Sequence, residues 1–224
     1  MKKLILAAII AMFTSVSAYA DLGVNVGVSG QIGLFAASAT ENDTGSHGTT
    51  TGTNEKNTES EFISIGYTSW FIEKTLGSKL FVGIDVVPDA LETETSESAR
   101  QDKTTSSTPA TVTNKVQVDF EDLTTIYVGL NITDNLYAKA GSMSVDVNTK
   151  ESLGTGSTYG NTSLDGTMYG VGYAATNDSG LFVRVEGNYL SFDGASLTSS
   201  SGSQKITLDN LDGLSGKLSV GKSF

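Results

Sequence analysis

The 224-residue sequence predicts an all-β protein: a closed, antiparallel, transmembrane β-barrel built as an eight-stranded up-and-down meander. Three observations predict this fold. The chain begins with the features of a cleaved N-terminal signal peptide, its later segments alternate apolar and polar residues, and short turns alternate with long polar stretches. We therefore divide the sequence into a signal peptide, residues 1–20, and one barrel domain, residues 21–224.

The first twenty residues have the three parts of an export signal. Lys2 and Lys3 precede the apolar run 4–13, and Ala18 and Ala20 give the small-x-small pattern of a cleavage site. The apolar run is too short to cross a bilayer, which takes about 20 residues of α-helix. No later segment of the sequence reaches that length, so a membrane-embedded chain would have to cross with strands.

Composition excludes several classes of protein. The formal net charge is −11, and cleavage of the signal would remove two lysines and no acidic residue. Nucleic acid is therefore excluded as a partner, since phosphate binding needs clustered Lys and Arg. The sequence has no cysteine, so an exported fold must be stabilised by backbone pairing and packing. With only 2 prolines, the sequence is also compatible with long strands.

Turns and polar stretches alternate along the chain. The short turns are 76–79, 133–135 and 177–180, and the long polar stretches are 37–60, 89–113, 149–166 and 194–204. Together these connections separate eight strands; ten would result if 37–60 or 89–113 held another hairpin. In bacterial outer-membrane barrels the short turns are periplasmic and the long loops extracellular, which would place both termini on the periplasmic side.

The first three strands differ in how clearly their faces can be assigned. Residues 22–34 carry apolar side chains at every second position, with small or polar residues between them. Residues 61–74 have apolar groups on both faces, so the facing of this strand stays open. In the third strand, 80–87, the face that contains Asp85 is predicted to point inward.

The fourth strand, residues 115–131, is predicted to be irregular. Its first part alternates between Phe120, assigned outward, and Asp119 and Glu121, assigned inward. The apolar alternation then resumes further along the chain, and this predicts a bulge near Asp122.

The remaining strands repeat the pattern. In the fifth, 136–147, the apolar parity changes half-way, which requires either a bulge or an apolar interior. The sixth and seventh, 168–173 and 181–189, alternate regularly. The eighth, 205–224, is predicted to be broken around 209–213.

Charged residues are predicted to fill the lumen. An eight-stranded barrel is just wide enough for its interior to be filled by side chains. The inward candidates are Asp85, Asp119, Glu121, Lys139, Arg184, Glu186 and Lys217. Because an unpaired buried charge costs several kcal/mol, we expect these residues to pair with one another and to leave a plugged or narrow lumen.

Aromatic residues near the strand ends predict two girdles at the membrane interfaces. The girdle near the turns would contain Trp70, Phe71, Phe81, Tyr127, Tyr137, Phe182 and Phe224, and the girdle near the long stretches Phe35, Phe62, Phe120, Tyr169, Tyr189 and Phe192.

With its export signal, alternating strands and terminal Phe224, the chain resembles the small outer-membrane β-barrels of Gram-negative bacteria, the group of the OmpA transmembrane domain and the opacity-type porin-family surface proteins. The resemblance implies residence in the cell outer membrane among outer-membrane lipids and lipopolysaccharide. The sequence leaves the oligomeric state open, and we favour a monomer. The resemblance also implies that the barrel-assembly machinery reads the last strand, here Leu218, Val220 and Phe224. Lys222 departs from the pattern, which usually has a hydrophobic residue there.

Nothing in the sequence predicts catalysis, a cofactor or a metal. The single histidine, His47, lies among small and acidic residues with nothing to orient it as a base. Residues 209–213 contain a fragment of a calcium loop without its full spacing. We therefore expect a non-enzymatic protein with a mainly structural role and narrow, porin-like passage of small solutes. The alternative is surface recognition, as an adhesin, antigen or phage receptor, through the long acidic loops.

Overall fold

The computed structural model describes residues 22–43, 55–103, 109–153, 158–200 and 204–224; the signal peptide and His47 lie outside them. In this part of the chain every regular element is a strand. The strands are β1 (Val24–Asp43), β2 (Glu55–Leu76), β3 (Leu80–Val86), β4 (Leu91–Glu92), β5 (Ser96–Lys103), β6 (Pro109–Asn131), β7 (Leu136–Ser152), β8 (Thr162–Thr176), β9 (Leu181–Phe192), β10 (Ala195–Thr198) and β11 (Gln204–Ser223). No helix in these ranges is long and apolar enough to cross a membrane.

Eight of the described strands form an antiparallel ring. Its order is β1, β2, β3, β6, β7, β8, β9 and β11, and β11 pairs with β1 from Ser223 opposite Asn25 to Gln204 opposite Asp43. The short strands β4 and β5 continue β3 along β6, and β10 pairs with β11. The prediction of an eight-stranded meander barrel is therefore confirmed.

Three short turns join the ring at one end, as the sequence predicts. They connect β2 to β3, β6 to β7 and β8 to β9. Gly77 and Gly180 adopt φ values of 70° and 80°, which glycine accepts without steric cost. Asn177 accepts hydrogen bonds from the backbone amides of Ser179 and Leu181 through its side-chain oxygen. We call this the turn end of the barrel, and it also carries residues 22–24 and 224.

At the opposite end, the predicted loops are largely strand. β1 ends at Asp43 and β2 begins at Glu55, so both strands extend into the predicted polar stretch 37–60. Within the stretch 89–113, β5 pairs with β6 as a hairpin. These strands are up to 23 residues long, whereas about 9–11 residues cross a bilayer. We call this the hairpin end. The hairpin of β5 extends an existing wall and adds no strand to the ring.

A bulge in β6 confirms one prediction and overturns another. The register with β7 shifts between Glu121 and Thr124, and Asp122 has φ 54°. In the part of β6 that precedes this bulge, the inner and outer faces are the reverse of those predicted. Phe120 lies opposite Val147 on the inner face. Asp119 and Glu121 therefore lie on the face of the strand opposite to Phe120, which differs from their predicted assignment to the lumen, although Asp119 is only 1% exposed.

Two other predicted irregularities differ from the structure. β7 has no bulge: Met143, Val145 and Val147 are buried on the same face as Lys139, so the apolar-interior alternative is the correct one. β11 is continuous across 209–213. Its register with β1 shifts there, because Leu211 pairs with Ala37 and Leu208 pairs with Ala39.

The outer face of the ring carries an apolar band. Its exposed side chains include Val28, Ile32, Leu34, Ile126, Val128, Leu130, Tyr169, Val171, Leu181, Val183, Val185, Leu214, Leu218 and Val220. Water would disfavour so large a continuous apolar surface, whereas the hydrocarbon core of a membrane favours it. On the inner face, by contrast, six charged residues are buried: Glu73, Asp85, Lys139, Arg184, Glu186 and Lys217.

The predicted aromatic girdles are only partly present. Phe71, Phe81, Tyr127, Tyr137 and Phe182 are buried in the lumen near the turn end, and Phe35, Phe120 and Phe192 pack inside near the hairpin end. Tyr169, Tyr189 and Phe62 do point outward. Proximity to a strand end places an aromatic residue at the right height, but strand parity decides whether it meets lipid or the interior.

Candidate functional site

The lumen near the turn end contains an ion-pair network centred on Glu73 of β2. Oε1 of Glu73 accepts hydrogen bonds from Arg184 Nη1 at 2.7 Å and from the Tyr127 hydroxyl at 2.8 Å, and Oε2 accepts one from Asn25 Nδ2 at 3.1 Å. Arg184 lies on β9, which is not a neighbour of β2 in the ring. The pair therefore crosses the lumen and joins two separate walls.

A second ion pair joins Lys139 of β7 to Glu186 of β9. Lys139 Nζ lies 2.6 Å from Oε2 of Glu186, whose Oε1 accepts a hydrogen bond of 2.5 Å from the Tyr137 hydroxyl. The two charged side chains are only 4% and 3% exposed. A charge buried to this degree is stable only when its partner and hydrogen bonds are in place, as they are here.

The third ion pair connects Lys217 of β11 with Asp85 of β3, again across the ring. With it the network contains three cations and three carboxylates, and every member is buried. The network is therefore electrically balanced.

Aromatic rings fill the space around these charges. The Arg184 guanidinium lies 4.4 Å from the ring centroid of Phe182, and Lys139 Nζ lies 4.8 Å from that of Tyr127. Phe81 contacts Tyr137 edge-on, with ring centroids 5.7 Å apart. Such cation–π contacts favour a desolvated charge. The rings and ion pairs together occupy the cross-section of the lumen near the turn end.

Toward the hairpin end the interior changes character and becomes apolar. A cavity with a volume of about 80 Å³ lies next to the network on the side of the hairpin end. Its walls include Phe35, Val87, Leu91, Phe120, Leu123, Met143, Val145, Met168, Leu190, Phe192 and Leu211. Asp85, Lys139, Lys217 and Asn188 also line it and form its polar floor.

One part of the cavity wall lacks backbone pairing among the described residues. β2 pairs with β3 only from Trp70 to Leu76, and β4 and β5 pair with β6 alone. Ile63 and Ile65 on β2 line the cavity there, as do Val87 and Leu91 on the facing segment. Among the described residues, the edge of β2 before Trp70 that faces away from β1 therefore has no paired strand.

Five of the seven residues assigned to the lumen from sequence are buried in the network: Asp85, Lys139, Arg184, Glu186 and Lys217. Glu73 was not predicted, because its strand carries apolar residues on both faces. Its parity with Tyr67 and Phe71 could have placed it inside. Charge balance could not have found it, since the predicted set already had four acids for three bases.

The two misassigned acids lie on the outer face near the hairpin end. Asp119 forms an ion pair with Lys150 of β7 and accepts a hydrogen bond of 3.2 Å from Gln117 Nε2. The Lys150 side chain is 56% exposed and the Asp119 side chain only 1% exposed, so the carboxylate of this pair is buried and its lysine lies at the surface. No group of side chains suited to hold a metal ion was found among the described residues.

The three residues assigned to assembly lie along the end of the chain. Leu218 and Val220 are half exposed on the outer face of β11. Phe224 exchanges two backbone hydrogen bonds with Val24 of β1, of 2.8 and 3.1 Å. The last residue thus completes the pairing between the first and last strands. Recognition of these residues by an assembly machinery stays a prediction.

Comparison with known proteins identifies the fold. No protein-family model and no curated protein sequence matches the chain. Among solved structures, the chain resembles the outer membrane protein OprG from Pseudomonas aeruginosa, with 11% identity and a TM-score of 0.54 over 91% of this chain and 97% of OprG. It also matches the outer membrane protease OmpT from Escherichia coli, with 9% identity and a TM-score of 0.46 over 94% of this chain and 100% of OmpT.

The ring of strands, the apolar outer band and the likeness to OprG define the class: the chain has the fold of the small outer-membrane β-barrel proteins of Gram-negative bacteria.

Proposed function

We propose that this protein is a structural outer-membrane barrel whose lumen is plugged near the turn end, so that only narrow passage of small solutes remains. The observation that supports this best is the network of three ion pairs, two of which cross the ring. An open aqueous channel would instead require a larger ring or an interior free of side chains.

Conductance in a planar bilayer tests this proposal. The wild-type barrel is expected to show rare, small openings. Truncating one crossing pair, with Glu73→Ala and Arg184→Ala together, removes two long side chains from the lumen and is expected to give larger and more frequent openings. The matched control is Glu97→Ala with Lys115→Ala, an exposed ion pair of 2.5 Å on the β5–β6 hairpin. Steady large openings of the wild type would refute the plug.

We further propose that the hairpin end is extracellular and the turn end periplasmic. Because the chain has no cysteine, single cysteines can report the orientation. In intact cells, a membrane-impermeant maleimide is expected to label Ser60→Cys on β2 and to leave Ser78→Cys in the first turn unlabelled. Both side chains are exposed, so lysed cells should label equally well at the two positions. The reverse pattern in intact cells would invert the topology.

Surface recognition is the second candidate, and the length of the hairpins favours it. β1 and β2 stay paired from Val24–Lys74 to Asp43–Glu55, far beyond the length that lipid requires. Removing residues 41–57 and joining Thr40 to Thr58 by a short turn should leave the ring folded. Loss of cell adherence or phage adsorption in that variant, with unchanged conductance, would favour recognition over the structural role.

We propose that the structural barrel is a monomer surrounded by outer-membrane lipids and lipopolysaccharide and has no catalytic activity. Its assembly would depend on Leu218, Val220 and Phe224. If the terminal residue is read during assembly, Phe224→Ala should slow insertion into the outer membrane in cells. His47→Ala should leave every measured property of the protein unchanged.

A further inference from the structure

Two lysines lie at the turn end on either side of the seam between the first and last strands. Lys74 of β2 and Lys222 of β11 pair with positions two residues apart on β1, the strand between them. Lys74 has the strand parity of Ile72, and Lys222 that of Val220, and both of these apolar residues are exposed in the outer band. The two lysines therefore project from the apolar outer surface and flank a single strand.

Both side chains extend toward the rim of the turn end. Nζ of Lys74 donates a hydrogen bond to the backbone carbonyl of Leu22, the first described residue. Nζ of Lys222 lies 5.2 Å from the ring centroid of Phe224, the last residue of the chain. Lysines at the edge of an apolar surface take this arrangement, in which the stem covers the surface and the charge reaches the polar side. Their ammonium groups therefore lie at the border of the apolar band.

Neither ammonium group is neutralised by the part of the chain that the structure describes. Five ion pairs occur there, and all of them use other cations: Lys115, Lys139, Lys150, Arg184 and Lys217. An ammonium group has three N–H donors, and the described contacts of Lys74 use one of them. Lys74 and Lys222 can therefore both donate to a further anionic acceptor.

The surrounding charges at this side of the rim also favour an anion. Lys79, exposed in the first turn, adds a third cation, whereas Asp134 and Asp178 lie in the other two turns. The terminal carboxylate of Phe224 offsets only one of the three positive charges. In a chain with a formal net charge of −11, this side of the turn end is a local cationic patch.

The apolar surface next to the two lysines suits the tail of a lipid. Val28 and Val220 face each other in the register of β1 and β11, one row further from the rim, and are 40% and 50% exposed. Because neighbouring strands lie about 4.8 Å apart, β2 and β11 are about 10 Å apart across β1, and two lysine side chains can reach one phosphate from both sides. An acyl chain attached to that phosphate would then lie over the valines.

We propose that Lys74 and Lys222 together bind the phosphate of one anionic phospholipid, whose acyl chains lie along the outer face of β1 and β11. This binding goes beyond the proposed structural role. The proposed orientation decides only which leaflet supplies the lipid, and the plugged lumen has no part in it. Binding measured in detergent therefore tests this site separately from conductance and from cysteine labelling.

Native mass spectrometry of the folded mature barrel in detergent counts the bound lipids. The wild type is expected to retain one phosphatidylglycerol and to bind phosphatidylcholine, which has no net charge, much more weakly. Lys74→Gln with Lys222→Gln should weaken binding of phosphatidylglycerol about 30-fold, since each lysine near an anionic lipid surface contributes about fivefold. Lys74→Arg with Lys222→Arg keeps both charges and should keep the bound lipid.

The matched control is Lys56→Gln with Lys205→Gln. These exposed lysines both pair with Asn42 of β1, so they flank the same strand near the hairpin end, and their removal should leave the bound lipid in place. Equal retention of the two phospholipids, an equal loss in the two glutamine variants, or tighter binding of lipid A than of phosphatidylglycerol at Lys74 and Lys222 would overturn the proposal. The comparison of lipids on the wild type decides the question even if a variant does not fold.

Discussion

At the scale of single residues, Glu73 has the largest number of described contacts in the network. Its carboxylate accepts hydrogen bonds from three side chains, including the cation of Arg184. Removing its charge would leave a guanidinium buried without a counterion, because the other carboxylates are engaged by lysines. Breaking a buried ion pair in this way is costly, whereas breaking an exposed one costs little.

We therefore expect Glu73→Gln to lower the free energy of unfolding by about 3 kcal/mol. The control is Glu97→Gln on the β5–β6 hairpin, whose ion pair with Lys115 is half exposed and should contribute less than about 1 kcal/mol. Urea unfolding in lipid vesicles, followed by the mobility difference between folded and unfolded barrel on gels, measures both. An equal decrease in the free energy of unfolding for the two variants would show that burial does not determine how much these ion pairs stabilise the barrel.

At the scale of secondary structure, the bulge in β6 decides which side chains reach the cavity. Asp122 has a φ of 54°, a region that costs most L-residues about 1–2 kcal/mol. The inserted residue reverses the facing of the strand beyond it, so that Phe120 points inward and Asp119 outward. The bulge thus keeps the interior near the hairpin end apolar.

If this backbone conformation is required, Asp122→Gly should stabilise the barrel by about 0.5–1 kcal/mol, because glycine adopts positive φ freely. Asp122→Val should destabilise it, since β-branched residues are outliers in this region. Asp146, which faces outward on the neighbouring strand opposite Glu121, has no such constraint, and Asp146→Val should be tolerated. The same unfolding measurement applies, and a neutral Asp122→Val would contradict the constraint.

At the scale of the whole molecule, stability depends on the match between the outer apolar band and lipid. Val171 of β8 is 61% exposed in that band, five residues from the end of the strand at the turn end. The ion pairs, aromatic rings and apolar cluster line the inside of the ring, so in the proposed membrane location lipid would surround the outside. A charge on the outer face is therefore expensive only where lipid covers it.

Val171→Arg should reduce the free energy of unfolding in vesicles by about 2–4 kcal/mol, the cost of a cation near the middle of the bilayer. Thr58→Arg, at an exposed position of β2 on the long hairpin, should change it by less than about 0.5 kcal/mol. A small effect at Val171 would place the lipid band elsewhere on the barrel surface.

How much could be predicted from sequence differs from strand to strand, for local reasons. β9 was assigned correctly on both faces, because Arg184 and Glu186 alternate with Val183 and Val185 without interruption. The bulge near Asp122 was also predicted, but the inner and outer faces assigned to the residues before it were the reverse of those in the structure. In β2, apolar residues on both faces hid Glu73; the pairing of Ser69 with Ser29 on the inner face fixes which face of this strand points inward.

By itself, the sequence determined the fold class and the three turns, because alternation and turn chemistry are local properties that strand parity and backbone dihedrals impose. The choice between eight and ten strands needed the structure, in which β5 pairs with β6 and adds no strand to the ring. The tertiary structure alone decided which side chains meet inside the ring. Ion pairs such as Arg184 with Glu73 join residues 111 positions apart. Their partners, and the apolar cavity above them, depend on strand register and on a single bulge, because one inserted residue exchanges the two faces of everything that follows.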